Sequence, residues 1–560
     1  MKKINFTFSF LLLSLFSFGQ FVVETDVIRA RVEQDGLLFN NGQTFTGAFE
    51  APINSGLSTF YAFNFWVSGL NDGAVNFYGT KFLQLGDGRR YGPIMDPEFY
   101  DTNPDIWDRV WNVTREEIVF HIEHFADDGY VMPEAIENWP AHGDVSKGQA
   151  ANLAPFVDAN SNGSYEPELG DYPETLGDET IYIIYNGERN NDVPGSMGIE
   201  THVMVYVFNC DDFIASSAVF AYVKQINRSQ FDYQDAYLGF YSDFDIGEPF
   251  DDYSVTDVER STVYGLNSVE FDGDYGDHLP AQGVTILRGV KQDDDGIDNE
   301  VGIEDNETVN GMGYGDAIVD NEYRGLDFSL SLSNNAGPTG DPVLVDEYYK
   351  NMTGIWRDGQ FQLYGGDGYS ENTSEVVSRF GFSENDPLFY GTYGIDPGSF
   401  PWDSGVPTDI RMIGSSGPFT FESGTSRDMY LAYTFAREGI GSDTSITLLK
   451  NLIDEYLLYY QANMQFCGSP IYLGISEQKL VKQSITVYPN PFSNQISFNY
   501  QGSDRNAFIA VYDMLGREVF NQSIVNGENK LNLNQISGST FILKLSDATG
   551  TRTQKIIRKP

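Results

Sequence analysis

Basic residues are scarce in this 560-residue chain: 34 Lys and Arg stand against 81 Asp and Glu, a formal net charge of −47. Phosphate backbones are held by clustered cations, so the charge excludes a nucleic-acid partner, and an anionic membrane surface would repel the chain likewise. Histidine is scarcer still, at five residues. Zinc hydrolases use His pairs on one face, and no His-Glu-x-x-His run occurs. His121 and His124 fall in Glu117–Phe125, which reads as a strand, where an offset of three sends them to opposite faces. His142, His202 and His278 have no partner at ligand spacing. The two cysteines, Cys210 and Cys467, lie in no Cys-x-x-Cys metal or redox motif. One long-range disulfide and two separate buried thiols both remain open. A Gly-x-Ser-x-Gly nucleophile elbow is absent, Gly414-Ser-Ser-Gly417 being a turn, and Gly311-Met-Gly-Tyr-Gly315 lacks the spacing of a nucleotide loop.

Long apolar runs are also missing, apart from the amino terminus. Met1-Lys-Lys followed by Phe8–Phe18, with small residues Ser17 and Gly19, has the form of a signal peptide over residues 1–19. That run is short for a bilayer span, and the mature chain is expected to be exported without a transmembrane segment. Hydrophobic residues at 41%, aromatics at 14% and 57 glycines supply large cores and many turns. Through residues 20–470, short alternating runs such as Thr180–Tyr185, His202–Phe208, Ala218–Val223, Tyr237–Tyr241 and Met429–Phe435 predict half-buried antiparallel strands. Helical spacing is clear once, at Ile446, Leu449, Ile453, Tyr456, Leu457 and Tyr460, with Asp443 or Ser445 as N-cap and an end at Cys467-Gly468. The fold expected is all-β: a large β-sandwich-rich body with long acidic loops and one late helix, then a small Ig-like sandwich.

A change in charge marks the boundary between them. From Glu477 onward ten basic residues meet six acidic ones, whereas the body is strongly acidic. Residues 471–484 read as a linker, and residues 485–560 show seven short strand patterns in about seventy-five residues. Tyr488-Pro489-Asn490-Pro491, then Val511-Tyr-Asp513-Met-Leu-Gly516-Arg517, then Gly550 to Lys555-Ile-Ile-Arg-Lys559, resemble the type A C-terminal sorting domain of type IX secretion substrates of Bacteroidetes. The resemblance implies Sec-dependent export to the periplasm and passage through the outer membrane by the type IX machinery. It implies a secreted or surface-attached product, in the second case held on lipopolysaccharide.

Three acidic clusters are candidate cation sites. In Asp158-Ala-Asn160-Ser-Asn162-Gly-Ser164-Tyr-Glu166, oxygens recur at alternate positions around Gly163, as in the first half of an EF-hand-type loop. Leu169 stands where that loop places a bidentate Glu, so Glu166, Glu168 or Asp171 would close the shell. Asp243 and Asp245 share a side of an extended segment, and Gly247 permits a return toward Asp251, Asp252 and Asp257. Asp293-Asp-Asp295-Gly-Ile-Asp298, with Glu304, Asp305, Asp316, Asp320 and Glu322, forms the third. Each also reads as a solvated acidic loop; calcium is the ion such oxygen sets suit.

No catalytic pair can be chosen among so many carboxylates, since glycosidase pairs are defined by distance in space. Trp356 and Trp402, with Tyr348, Tyr349 and Tyr364, offer a sugar-stacking platform or ordinary core. The stretch from Trp139-Pro-Ala-His-Gly143 to Cys467 is similar to an uncharacterised region of large secreted Bacteroidetes proteins. Its landmarks are Gly170-Asp-Tyr-Pro173, Asp320-Asn-Glu322, Gly354-Ile-Trp-Arg-Asp-Gly359 and Ser416-Gly-Pro-Phe419. That resemblance implies location without chemistry. The function expected is a calcium-binding structural or adhesive protein outside the cell; the alternatives are a polysaccharide-acting hydrolase and a carbohydrate-binding protein with extracellular glycans as partners.

Overall fold

The computed structural model describes residues 21–81, 89–100, 106–187, 197–210, 212–304, 307–403, 409–461, 465–466, 469–470, 487–500, 507–512, 518–536, 538–547 and 550–559. Alternation along the strands decides the body's architecture. In Glu179–Asn186, Ile181, Ile183 and Tyr185 face one way and Tyr182 and Ile184 the other; both sets are buried, in different cores. The neighbouring strand Ile199–Val207 is buried at every position. A strand of this kind needs protein on both faces.

The larger sheet has ten strands. Its order runs Ser383–Glu384, Asp252–Asp257, Thr262–Asn267, Ala281–Arg288, Ser426–Ala436, Ala218–Asn227, Ile199–Val207, Glu179–Asn186 and Arg90–Tyr91, with Trp111–Thr114 also pairing Glu179–Asn186. Opposite it lies a five-stranded antiparallel sheet ordered Phe328–Ser333, Ile410–Phe421, Tyr233–Phe244, Phe60–Asn71, Ala74–Tyr78. Between the sheets sit Phe63, Phe65, Leu238, Phe240, Phe244 and Met412 against Val203, Val205, Val219, Leu431 and Tyr433. The Phe63 ring stacks on Phe240 at 5.3 Å and meets Tyr433 edge-on at 4.9 Å. Phe39 and Phe49, from the first fifty residues, join the same aromatic core.

Each sheet has a separate outer cover. Leu449, Leu452, Ile453, Tyr456 and Tyr460 of the late helix Asp443–Gln461 pack with Trp111 and Trp139 on the ten-stranded sheet. On the five-stranded sheet, Trp66, Tyr241, Leu330 and Ile413 pack under Met352 and Trp356, beside the helix Val345–Met352.

Helix content exceeds the single late helix expected. Glu117–Phe125 is not a strand: Arg115–His124 is helical, opened by a capping box in which Thr114 Oγ1 accepts from Glu117 N (3.2 Å) and Glu117 Oε2 accepts from Thr114 N (2.8 Å). Its apolar residues Val119, Phe120 and Ile122 face outward and mask the helical period. In Val345–Met352 the first-turn Glu347 accepts from Val343 N and Leu344 N at 2.7 and 3.1 Å. The late helix begins at Asp443 but stops at Gln461, short of Cys467.

The terminal module is a seven-stranded sandwich. Val487–Tyr488, Gln495–Tyr500 and Gly527–Asn532 form one sheet; Glu518–Ser523, Phe508–Tyr512, Thr540–Asp547 and Gly550–Ile557 form the other. Phe492, Phe498, Ile509, Val511, Leu531, Leu543 and Ile556 fill its core. The expected linker 471–484 and signal peptide 1–19 lie outside the described residues.

Removing a ring from the middle of the inter-sheet core leaves a cavity that its packed neighbours cannot close. Phe63→Ala is expected to destabilise the body by about 3–5 kcal/mol. Urea unfolding followed by tryptophan fluorescence measures this as a lowered midpoint.

Candidate metal centre

The three sequence clusters meet different fates. In the loop after Val157, Asp158 accepts from its own backbone: Asn162 N at 3.2 Å and Gly163 N at 2.7 Å. Asn162 Oδ1 accepts from Ser164 N at 2.8 Å, and its amide donates to Glu166. Asp171, fully buried at the loop's base, accepts from Ala159 N and Glu166 N, both at 2.8 Å. Only Asn162 to Ser164 is an Asx-turn bond; Asp158 and Asp171 accept from backbone groups further along the loop and hold its two limbs together.

The third cluster divides. Asp293 leaves its neighbours to pair with Arg427 (2.9 Å) and to accept from Thr420 N (2.7 Å). Asp295 accepts from Ile297 N, while Asp298 accepts from Gly315 N and Ala317 N. Asp320 accepts from Asp295 N and Gly296 N, so the two acidic stretches are stitched together by carboxylate-to-backbone bonds.

The second cluster contributes to the tightest carboxylate group among the described residues. Ligand oxygens of Asp243, Asp245 and Asp409 all lie within 4.8 Å of one another. Asp243, the last residue but one of the strand Tyr233–Phe244, lies on its outer face in line with Tyr241, and Asp245 follows at the next position of the same parity. Asp409 stands just before the strand Ile410–Phe421, whose Arg411 is directly opposite Asp243. Arg411 lies between them, with Nη2 2.9 Å from Asp409 Oδ2 and Nε 3.2 Å from Asp243 Oδ1 without the alignment of a hydrogen bond. Asn334 donates to Asp409 Oδ2 at 2.8 Å, and Asp409 Oδ1 is buried without a hydrogen-bond donor. Asp243 is 1% exposed and Asp409 9%.

Arg411 pairs with Asp243 and Asp409 but not with Asp245, and if all three carboxylates were ionised they would exceed this one guanidinium by two charges. Burial pushes the Asp243 carboxyl well above its usual range, and the Arg411 charge opposes this only in part. Asp245 is pushed up to about 7, first by burial and then by Asp409. Asp409 is raised by burial as well.

Asp251 and Asp252 do not join this group. Asp252 Oδ2 accepts from Ile246 N at 3.1 Å, and Asp251 Oδ1 accepts from Asn267 Nδ2 at 3.2 Å. Their neighbour is Asp272, which accepts from Glu248 N and Asp274 N and was not singled out from sequence. Asp257 pairs with Arg260 at 3.0 Å. Asp409 also escaped the sequence reading. Its trace is the pattern Asp409-x-Arg411 at the mouth of an apolar strand, the counterpart of Asp243-x-Asp245.

The expected opposite-face placement of His121 and His124 rested on a strand and does not hold: on the helix Arg115–His124 an offset of three puts them at neighbouring positions, where each has its own partners. His121 hydrogen-bonds Tyr130 Oη and the Asp171 carbonyl, both at 3.0 Å, and His124 pairs with Asp127 at 2.8 Å. Trp356 is core, donating to Gly368 O, and Trp402 packs against Tyr364 and Phe382. Cys210 is half of a disulfide; the chain's other cysteine, Cys467, lies outside the described residues.

In the terminal sandwich, the Tyr488-Pro489-Asn490-Pro491 segment clamps the final strand. Asn490 Nδ2 donates to Lys555 O and its Oδ1 accepts from Ile557 N, both at 2.8 Å, as a neighbouring strand would. Arg558 lies against Phe492 and Phe541 and donates to Ile536 O and Leu533 O. Asp513 and Gly516 lie outside the described residues.

Residues 486–559 match the family model described as the secretion system C-terminal sorting domain. No curated protein matches the chain. Among solved structures a polysaccharide lyase aligns at 7% identity with a TM-score of 0.18, over 72% of this chain and 38% of the lyase, and likeness at that level carries no argument.

The carboxylate group has a pH signature in the metal-free protein. Asp245 titrates near 7 when folded and near 3.8 when unfolded, so the folded state keeps a proton that the unfolded chain has released. This contribution is fully present below about pH 4 and is lost as pH rises through 7. In EDTA, the gap in melting temperature between wild type and Asp245→Asn is expected to widen in favour of the variant from pH 5 to pH 8.

Proposed function

We propose that this chain, a type IX secretion substrate by its C-terminal sorting domain, serves outside the cell as a calcium-dependent structural or adhesive protein. One observation carries the calcium reading: three carboxylates with oxygens within 4.8 Å, which when all ionised would carry two charges more than Arg411 neutralises. A divalent cation matches that deficit. Calcium accepts oxygen ligands at about 2.3–2.6 Å in irregular geometry, which suits ligands drawn from two strand ends and a loop. Bound there, the ion would replace proton uptake as the means of relieving buried repulsion, and would tie the ends of Tyr233–Phe244 and Ile410–Phe421 together.

Hydrolysis is less well supported by this group. Glycosidase carboxyl pairs stand about 5–5.5 Å or 6.5–9.5 Å apart, leaving room for a sugar or a water between them. Asp243, Asp245 and Asp409 instead turn oxygens toward one another within 4.8 Å, with Arg411 lodged between two of them. In the proposed route, the signal peptide brings the chain to the periplasm and the sorting domain hands it to the type IX machinery. The body is then attached to surface lipopolysaccharide or released.

Thermal melts test the ion. Calcium at one hundred times its Kd is expected to add about 2.7 kcal/mol to the stability of the chelated protein, and Asp409→Asn to lose most of the shift. A midpoint that ignores both EDTA and calcium would remove the ion from the reading.

The route is tested separately, by deleting residues 485–560. The truncated body is expected to accumulate in the periplasm. Its normal appearance at the cell surface would overturn the assignment.

A further inference from the structure

The outer face of the five-stranded sheet has a second opening, at the opposite end of the strand Tyr233–Phe244 from the carboxylates. A cavity of about 310 Å³ is lined by Asp235, Tyr237, Phe328, Tyr349, Phe361 and Tyr393, among others. Tyr237 meets Phe328 edge-on at 5.9 Å and Tyr349 edge-on at 6.0 Å, so three rings make one continuous wall. Phe361 at the rim is 56% exposed, a large ring with much of its surface in water.

The backbone is irregular where it meets this cavity. Asp235 and Tyr393 adopt left-handed conformations, with φ of 45° and 55°. A bulky aromatic residue rarely takes that conformation unless its surroundings impose it. Asp235 also falls within a bulge that shifts the register of both neighbouring strands between Gln234 and Leu238. Bulges of this kind re-aim side chains at the margins of sheets. At Gly354, where φ is 69°, an added Cβ would come within 3.1 Å of the Phe328 ring, so a side chain there would crowd the wall. Three separate distortions therefore converge on one small aromatic recess.

Charge selects the class of ligand. Arg379, 1% exposed, lies 4.6 Å from the centroid of Tyr393 and 5.9 Å from that of Phe328. Those rings already hold an internal cation, and a second one would meet its repulsion. An anion would face the exposed Asp235 carboxylate and the −47 net charge of the chain. A neutral molecule remains, with an apolar face for the rings and hydroxyls for Asp235 and the tyrosines. The volume lies at the small end of ligand pockets, about 300–1,000 Å³.

We propose that this recess is a binding subsite for a neutral pyranose unit of a glycan, stacked on the aromatic wall with a hydroxyl donated to Asp235. The site is independent of the carboxylate group and does not rest on the calcium reading.

Calorimetric titration of the full chain with cellotetraose, maltotetraose, laminaritetraose and mannotetraose tests it, in calcium and again in EDTA. At least one is expected to bind saturably. Phe361→Ala, at an exposed position, should weaken binding about 2- to 10-fold while leaving the melting temperature unchanged. Asp235→Asn should weaken it as well. Silence from all four sugars overturns the proposal, as does binding that Phe361→Ala leaves intact. Tighter binding of tetragalacturonate or tetramethylammonium than of every neutral sugar also overturns it.

Discussion

The structure depends on one constraint: its longest strands are apolar on both faces, so neither sheet can border water. Ile199–Val207 shows this most plainly, being buried at all nine positions. Two sheets facing each other satisfy only the inner set of side chains. The chain supplies the rest with the helix Asp443–Gln461 and the Trp111 and Trp139 region on one side, and Val345–Met352 with Trp356 on the other. The second cover is short. Tyr233–Phe244 runs beneath it for twelve residues, roughly 40 Å, and its two ends carry Tyr237 and Asp243 on the same outer face. Both candidate sites thus arise at the margins of an incomplete roof.

Scarcity of positive charge shapes the interior as much as the surface. Several arginines are spent inside, on specific carboxylates. Arg324 grips Asp327 bidentately at 2.9 and 3.1 Å in a fully buried pair. Arg260 joins Asp257 of the ten-stranded sheet to Asp454 of the late helix, and Arg288 reaches Asp428. Glu200, His202 and Tyr182 form a buried chain of hydrogen bonds at 2.8 and 2.5 Å. In the group around Arg411, by contrast, one cation pairs with two carboxylates and a third lies close by.

Sequence alternation was enough to place five of the body's strands and the strands of the terminal sandwich, because a period of two is written directly into side-chain polarity. The late helix was legible for the same reason, its apolar face being continuous from Leu449 to Tyr460. Arg115–His124 was not, since three of its four apolar residues point to solvent, Ile118 alone being buried, and the Thr114–Glu117 capping box is its clearest mark. Asp243 and Asp245 were legible as a pair. Their third member, Asp409, is brought alongside by strand pairing and not by proximity in the chain. Likewise the aromatic recess gathers Tyr237, Phe328, Phe361 and Tyr393 from four separate segments, while Trp356, which drew notice in sequence, became core and Trp402 a half-buried packing residue.

The clamp made by Asn490 in the terminal sandwich has a further meaning. Its amide bonds to Lys555 and Ile557, more than sixty residues away, so the two ends of the sorting motif share one hydrogen-bonded unit. An extended chain carries the same letters without that surface. What the sequence spells as two separate motifs, the fold presents as one surface.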